Sequence, residues 1–262
     1  MNNGIVVLEI WQFAIVYLLL IIVLAILKKC KINQSKLLVL ASFRMTIQLI
    51  LAGLVLTYIF KNPHPVFVIA YITAMIVLAT HTVFSRNKGL NKKLKVIVGI
   101  SLTCTGLLIM VFFICGVVGV SIWNPQYTIT IGGMVIGNSM TGISLALKTF
   151  NENILAEKAR INTLLNIGAT PKSILIPFVN RGIETAMMPT LNSMLGMGII
   201  SLPGMMTGQI LSGTLPTTAI LYQIAIMISI ATAVSISTFS TLYFGYKTLY
   251  NNRNQMIYNE IN

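Results

Sequence analysis

The sequence contains no aspartate, five glutamates and only 9% charged residues. So few acids leave little for general acid-base work, and there is no H-E-x-x-H, so an intramembrane enzyme is disfavoured. No G-x-x-x-x-G-K-[ST] occurs either, and Gly168 to Ser173, the nearest lookalike, has the wrong spacing. The chain therefore has no P-loop of its own, and any use of ATP falls to another protein. Three cysteines, Cys30, Cys104 and Cys115, form no C-x-x-C. The latter two are ~16 Å apart on a helix, beyond disulfide reach, so reduced structural thiols are expected. His64 and His81 fall toward opposite ends of a span and do not share a metal. Paired inverted repeats are missing, which withholds support from a secondary transporter of the broken-helix type.

What is present is apolar sequence: 56% of 262 residues are hydrophobic and the mean hydropathy is +0.86. Apolar runs recur near 5–27, 37–60, 66–84, 96–120, 129–150, 176–200 and 218–244. About 20 helical residues cross a bilayer core, so these are seven predicted spans of an all-α, polytopic membrane protein. The runs do not alternate, which excludes a barrel.

The net charge of +13 raises nucleic acid as a partner until the basic residues are placed on the topology. All except Lys61, Arg44 and Arg181 follow spans one, three, five or seven, on one side of the membrane. That is the positive-inside pattern, with the N-terminus outside, the C-terminus in the cytosol, lipid around the spans and no role for nucleic acid. The first run has no basic residue before it and a lysine pair after it, so it reads as a retained N-out span in the cell (plasma) membrane.

Loops are short except between spans five and six, so residues 1–262 form a single permease-like membrane domain with two special segments. The first, 151–173, is a cytosolic elbow. Ile154, Leu155, Ile161, Leu164 and Leu165 form an apolar stripe on a helix expected over 151–166. Gly168 then suits a helix end, Thr170 a cap and Pro171 a first turn. Amphipathicity alone leaves two readings open, a helix lying in the headgroups or an elbow on which a partner docks. The second segment, 201–216, is rich in glycine and proline and lies at the outer face. A short helix over Met205 to Leu211 is expected there, either a re-entrant lid or a packed corner.

Within the spans, Gly133 and Gly137 have G-x-x-x-G spacing, which favours close helix packing, while neighbouring Asn138 and Ser139 are alternatives for a polar pathway. Arg44 and Glu184 enter their spans to similar depth from the cytosolic side. They either pair within the membrane or snorkel independently. Methionines 187, 188, 194, 197, 205 and 206 surround span six and serve as packing or as soft thioether ligands.

Six blocks together resemble the FetB-type permeases from about Arg44 to Lys247. They are Arg44-Met-Thr-Ile-Gln48-Leu with Gly53, Met134 to Met140, Leu164 to Thr170, Pro189 to Met194, Leu202 to Leu211, and Tyr222-Gln223-Ile. The family comprises membrane subunits of ABC transporters linked to iron export in bacteria, with plant relatives associated with aluminium tolerance. The resemblance implies a homodimer served by a separate cytosolic ATPase that uses ATP and Mg, with no cofactor in this chain. It places coupling to that ATPase at Leu164, Leu165, Gly168, Ala169, Thr170 and Pro171. The pathway candidates are Arg44, Gln48, Asn138, Glu184, Asn192, Ser193 and Gln209, and the outer gate candidates are Pro203, Gly204, Met205, Met206 and Gly208. Some members carry Asp where this chain has Asn192, so no carboxylate marks a metal site there. The competing readings are a self-sufficient channel or ion-coupled transporter gated by Arg44 and Glu184, and an assembly or sensor protein that docks a partner without moving a solute.

Overall fold

Runs this apolar satisfy their backbone groups internally, and the computed structural model is accordingly helical. It describes residues 9–251 and 255–256. The beginning of the predicted first span and Arg253, counted among the cytosolic basic residues, lie outside them. In chain order the helices are α1 (Ile10–Lys29), α2 (Ser35–Lys61), α3 (Pro65–Arg86), α4 (Lys92–Val111), α5 (Pro125–Ala156), α6 (Lys158–Asn166), α7 (Pro171–Gly196), α8 (Gly204–Leu211) and α9 (Pro216–Gly245). A π-helical turn, Phe112–Val118, prolongs α4 and stops at Gly119, whose φ of 73° ends the run.

Helix starts follow local chemistry. Asn91 accepts from Leu94 N–H at 2.6 Å, Asn124 accepts from Gln126 N–H at 3.1 Å, and Pro125 occupies the first turn of α5. His64 caps α3 through its ring nitrogen, which accepts from Val66 N–H at 3.3 Å. That gives this histidine a structural task.

Among the described residues, six helices are long and apolar enough to cross a membrane. The remaining predicted span corresponds to α7. Its 26 residues extend for about 39 Å, long enough to cross. Lys172, Asn180, Arg181, Glu184 and Asn192 make it more polar than the others. It packs against α5 and α9, so neighbouring helices take the place of lipid along part of its surface.

Two apolar clusters stack along the bundle. One joins Val83, Leu94, Val98, Ile143, Leu147, Phe150, Leu175 and Leu242; the other joins Val68, Ile72, Ile109, Phe113, Ile131, Val135, Ile226 and Ile230. Each is drawn from opposite ends of successive helices, so α3, α4, α5, α7 and α9 alternate in direction and α5 and α9 run the same way. The first cluster lies at the end that carries Arg86, Lys88, Lys92, Lys148, Lys158 and Lys172, called the basic end below.

Helices pack closely at Gly142, Gly182 and Gly245, where an added Cβ on the last would meet Leu94 at 2.6 Å. A Cβ on Gly142 would come within 2.8 Å of Val234, and one on Gly182 within 2.6 Å of Leu242 and 3.1 Å of the Ala146 carbonyl. The G-x-x-x-G pair splits: Gly133 faces Met75 at 3.2 Å, while Gly137 opens onto empty space. By contrast α1 and α2 bury almost nothing. They pack on each other, with the Tyr17 and Thr46 hydroxyls hydrogen-bonded, and α2 touches the bundle mainly through α5.

Candidate functional sites at the two ends of the bundle

At the basic end, the stretch expected as one helix over 151–166 is divided. Residues 151–156 prolong α5, the chain bends at Glu157, and α6 begins at Lys158. The division is stabilised by charge. Glu157 holds Arg160 at 2.8 Å and Arg181 of α7 at 3.6 Å, while Lys148 and Glu152 pair at 3.8 Å on α5. The predicted stripe is correspondingly uneven: Ile154 and Ile161 are buried, Leu164 and Leu165 are half-buried on the first cluster, and Leu155 is exposed.

The corner after α6 is a Schellman closure. Ala169 N–H donates to Leu164 C=O and Gly168 N–H to Leu165 C=O, both at 3.0 Å, with Gly168 at φ 93°. Immediately afterwards Thr170 caps α7, accepting from Ser173 N–H at 3.3 Å, and Pro171 is buried in the first turn. The six coupling candidates therefore divide by direction. Leu164, Leu165, Ala169 and Pro171 anchor the corner to the core, whereas Gly168 and Thr170 face outward. Beside Gly168, Ile167 is 74% exposed, an apolar tip that the sequence reading did not single out. Between α6 and α7 lies a groove of about 190 Å³ lined by Glu157, Arg160, Ile161, Ser173, Pro177 and Arg181.

At the opposite end, α8 is 8 residues long, about 12 Å, too short to cross. It runs one residue earlier than expected and is released by Gly213 at φ 95°. Of the gate candidates, Met206 is buried and Met205 is half-buried, while Gly204 and Gly208 are open. Met205 and Gln209 face a polar pocket of about 330 Å³ that also contains Gln126, Tyr127, Thr130, Thr218 and Tyr222. The side chains of Tyr127 and Tyr222 both line it. Gln209 Oε1 is buried there without a hydrogen-bond partner. A group so placed is a standing demand for a donor or a cation. Gln126 and Thr130 are four apart, as are Thr214, Thr218 and Tyr222. That helical spacing was the signal by which the pocket could have been found.

The other pathway candidates do not converge. Asn138 is exposed and donates to its own helix at Met134 C=O, 2.8 Å away. Glu184, Asn192 and Ser193 are exposed on α7, and Arg44 and Gln48 on α2. Neither Arg44 nor Glu184 takes part in an ion pair among the described residues, so of the two alternatives for these charges the pair is not formed within one chain. The reason is positional: α2 packs on α1 and lightly on α5, whereas Glu184 sits on α7, which packs on α5 and α9. Methionine sulfur serves hydrogen bonding at two places, accepting from Ser235 at Met187 (3.1 Å) and from Gln223 at Met197 (3.8 Å). Among the described residues no three His, Cys or Glu side chains gather as a metal-binding group.

A multi-pass bundle with this elbow and short α8 can be compared with known proteins as a whole, because the match extends over nearly its full length. The family described as "Uncharacterised protein family (UPF0014)" matches residues 10–250. The chain belongs to the UPF0014 family. Among UPF0014 relatives, the membrane protein YjkA of Bacillus subtilis is 29% identical over 95% of this chain and 98% of its own length. The "Probable iron export permease protein FetB" of Escherichia coli is 29% identical over 95% of each chain. The protein "ALUMINUM SENSITIVE 3" of Arabidopsis thaliana is 30% identical over 81% of this chain and 77% of its own. No solved structure matches the chain. The chain is thus a multi-pass membrane protein of a family that includes a named permease.

Proposed function

We propose that this UPF0014 chain is the membrane subunit of an ABC-type transporter of the plasma membrane. It works as a homodimer, and each copy docks a separate cytosolic ATPase that binds ATP and Mg. The observation that carries this reading is the elbow. Its exposed Ile167-Gly168 tip is fastened by a Schellman closure to α6 and by an uninterrupted cap to α7, with Glu157 bracing both. A push on the tip is therefore passed to the N-terminal part of α7, which is what coupling to an external engine requires. An interfacial helix lying in headgroups needs none of these braces.

The cargo proposed is a metal ion moved outward, with iron first, on the printed name of the Escherichia coli relative. The outer pocket offers amide and hydroxyl oxygens and one thioether rather than carboxylates. Neutral donors of that kind hold a cation weakly, which suits passage over storage. Gating by an Arg44–Glu184 pair inside a single chain has no support, because those charges do not meet.

The test is co-expression with candidate ABC ATPases, copurification, and reconstitution into vesicles. ATP-dependent metal flux that needs both chains is expected. Flux from the purified chain alone under an ion gradient would overturn the reading.

A further inference from the structure

Polar side chains at membrane depth need partners, since lipid tails supply none. On α7 the exposed positions Pro177, Asn180, Arg181, Glu184, Met188, Asn192 and Leu195 recur at three- and four-residue steps, so one face runs the length of the helix. Arg181 on that face turns to Glu157, and Glu184 has no ion-pair partner among the described residues. On α2, Arg44 and Gln48 lie one turn apart and exposed, on the least buried pair of helices in the molecule. Both helices start at the basic end and run the same way. Arg44 sits ~14 Å from its helix start and Glu184 ~20 Å, a difference an extended arginine side chain can span.

We infer that the occupant of the polar face of α7 is α2 of a second copy of this chain, with Arg44 of each copy opposite Glu184 of the other. Two-fold symmetry makes the pair twice and leaves neither charge facing lipid. The same arrangement covers α2, which one chain alone leaves bare. This rests on the homodimeric permease reading but concerns a contact rather than transport.

The test uses the full chain in membranes, with Cys30, Cys104 and Cys115 replaced by serine. Arg44→Cys and Glu184→Cys are placed on separately tagged copies, co-expressed and treated with a short bismaleimide. A covalent dimer carrying both tags, stronger by at least tenfold than with either substitution alone, is the expected result. Cross-linking confined to a chain that carries both substitutions would overturn the inference, as would no cross-link while a control cysteine pair between α5 and α9 reacts. As a second measurement, Arg44→Glu and Glu184→Arg should each reduce the dimer in native gels, and the double variant should restore it. Double-variant dimer levels no better than the singles count against the pair. A two-tag dimer without ATP-driven flux upholds the contact and removes only the transporter reading.

Discussion

Arg181 of α7 reaches back 3.6 Å to Glu157, the residue at which α5 gives way to α6. Glu157 is thereby tied to the helix that follows the elbow as well as to Arg160 within it.

Loosening that tie should change motion more than stability. The arginines are largely exposed, so the two pairs contribute only about 0.2–1 kcal/mol each. Glu157→Gln is expected to leave the melting temperature nearly unchanged while hydrogen exchange over 158–170 accelerates severalfold. Protection equal to the parent would show that packing of Ile161 and Leu164 alone holds the elbow.

Gly168 can be separated into a backbone effect and a docking effect. At φ 93° an added Cβ is strained, by roughly 1–2 kcal/mol, although the space around it is open. Gly168→Ala should therefore lower stability slightly and retain ATPase binding. Gly168→Trp should reach the membrane in similar amount and lose copurification with the proposed ATPase at least tenfold. Equal copurification of the two variants would move docking elsewhere.

The glycines of the bundle should respond unequally. Gly182→Ala drives a methyl group into Leu242 and the Ala146 carbonyl, overpacking that is expected to destabilise by about 1–3 kcal/mol. Gly137→Ala meets nothing within 4 Å and removes backbone freedom, so thermal stability should hold or rise. Fluorescence-detected melting of the two purified variants measures the contrast.

At the pocket beside α8, Gln209 carries a buried oxygen without a donor. Replacing both polar ends by an apolar group of similar size removes that penalty, so Gln209→Leu should gain up to about 1–3 kcal/mol of stability. If the pocket lies on the route of the cargo, flux falls at the same time. A variant that is stabilised and transports fully would make the pocket a packing defect.

The spans were legible because a membrane helix announces itself by length and apolarity, and the elbow because Gly168, Thr170 and Pro171 each have one favoured place at a helix boundary. What was hidden has physical reasons. Helices apolar on every side have no periodicity from which to read a contact face, so the bareness of α2 and the burial of α4 look alike in sequence. Glu157 is paired with Arg181, which belongs to a different helix, and no local pattern reports that pairing. Likewise Arg44 and Glu184 share depth without sharing a neighbourhood, and depth is all that their positions in the sequence encode.

Helix α5 extends over 32 residues, from Gln126 and Thr130 beside the outer pocket to Ala156 at the elbow. It is a single strut of about 48 Å, longer than the ~30 Å hydrocarbon layer it crosses. Pivoted near its middle, where Gly142 lets α9 lie close, a tilt of about 10° displaces each tip by about 4 Å in opposite directions. In the proposed transporter no relay of side-chain rearrangements is then needed between the two ends of the bundle, since closing a gap at one end opens one at the other by leverage alone.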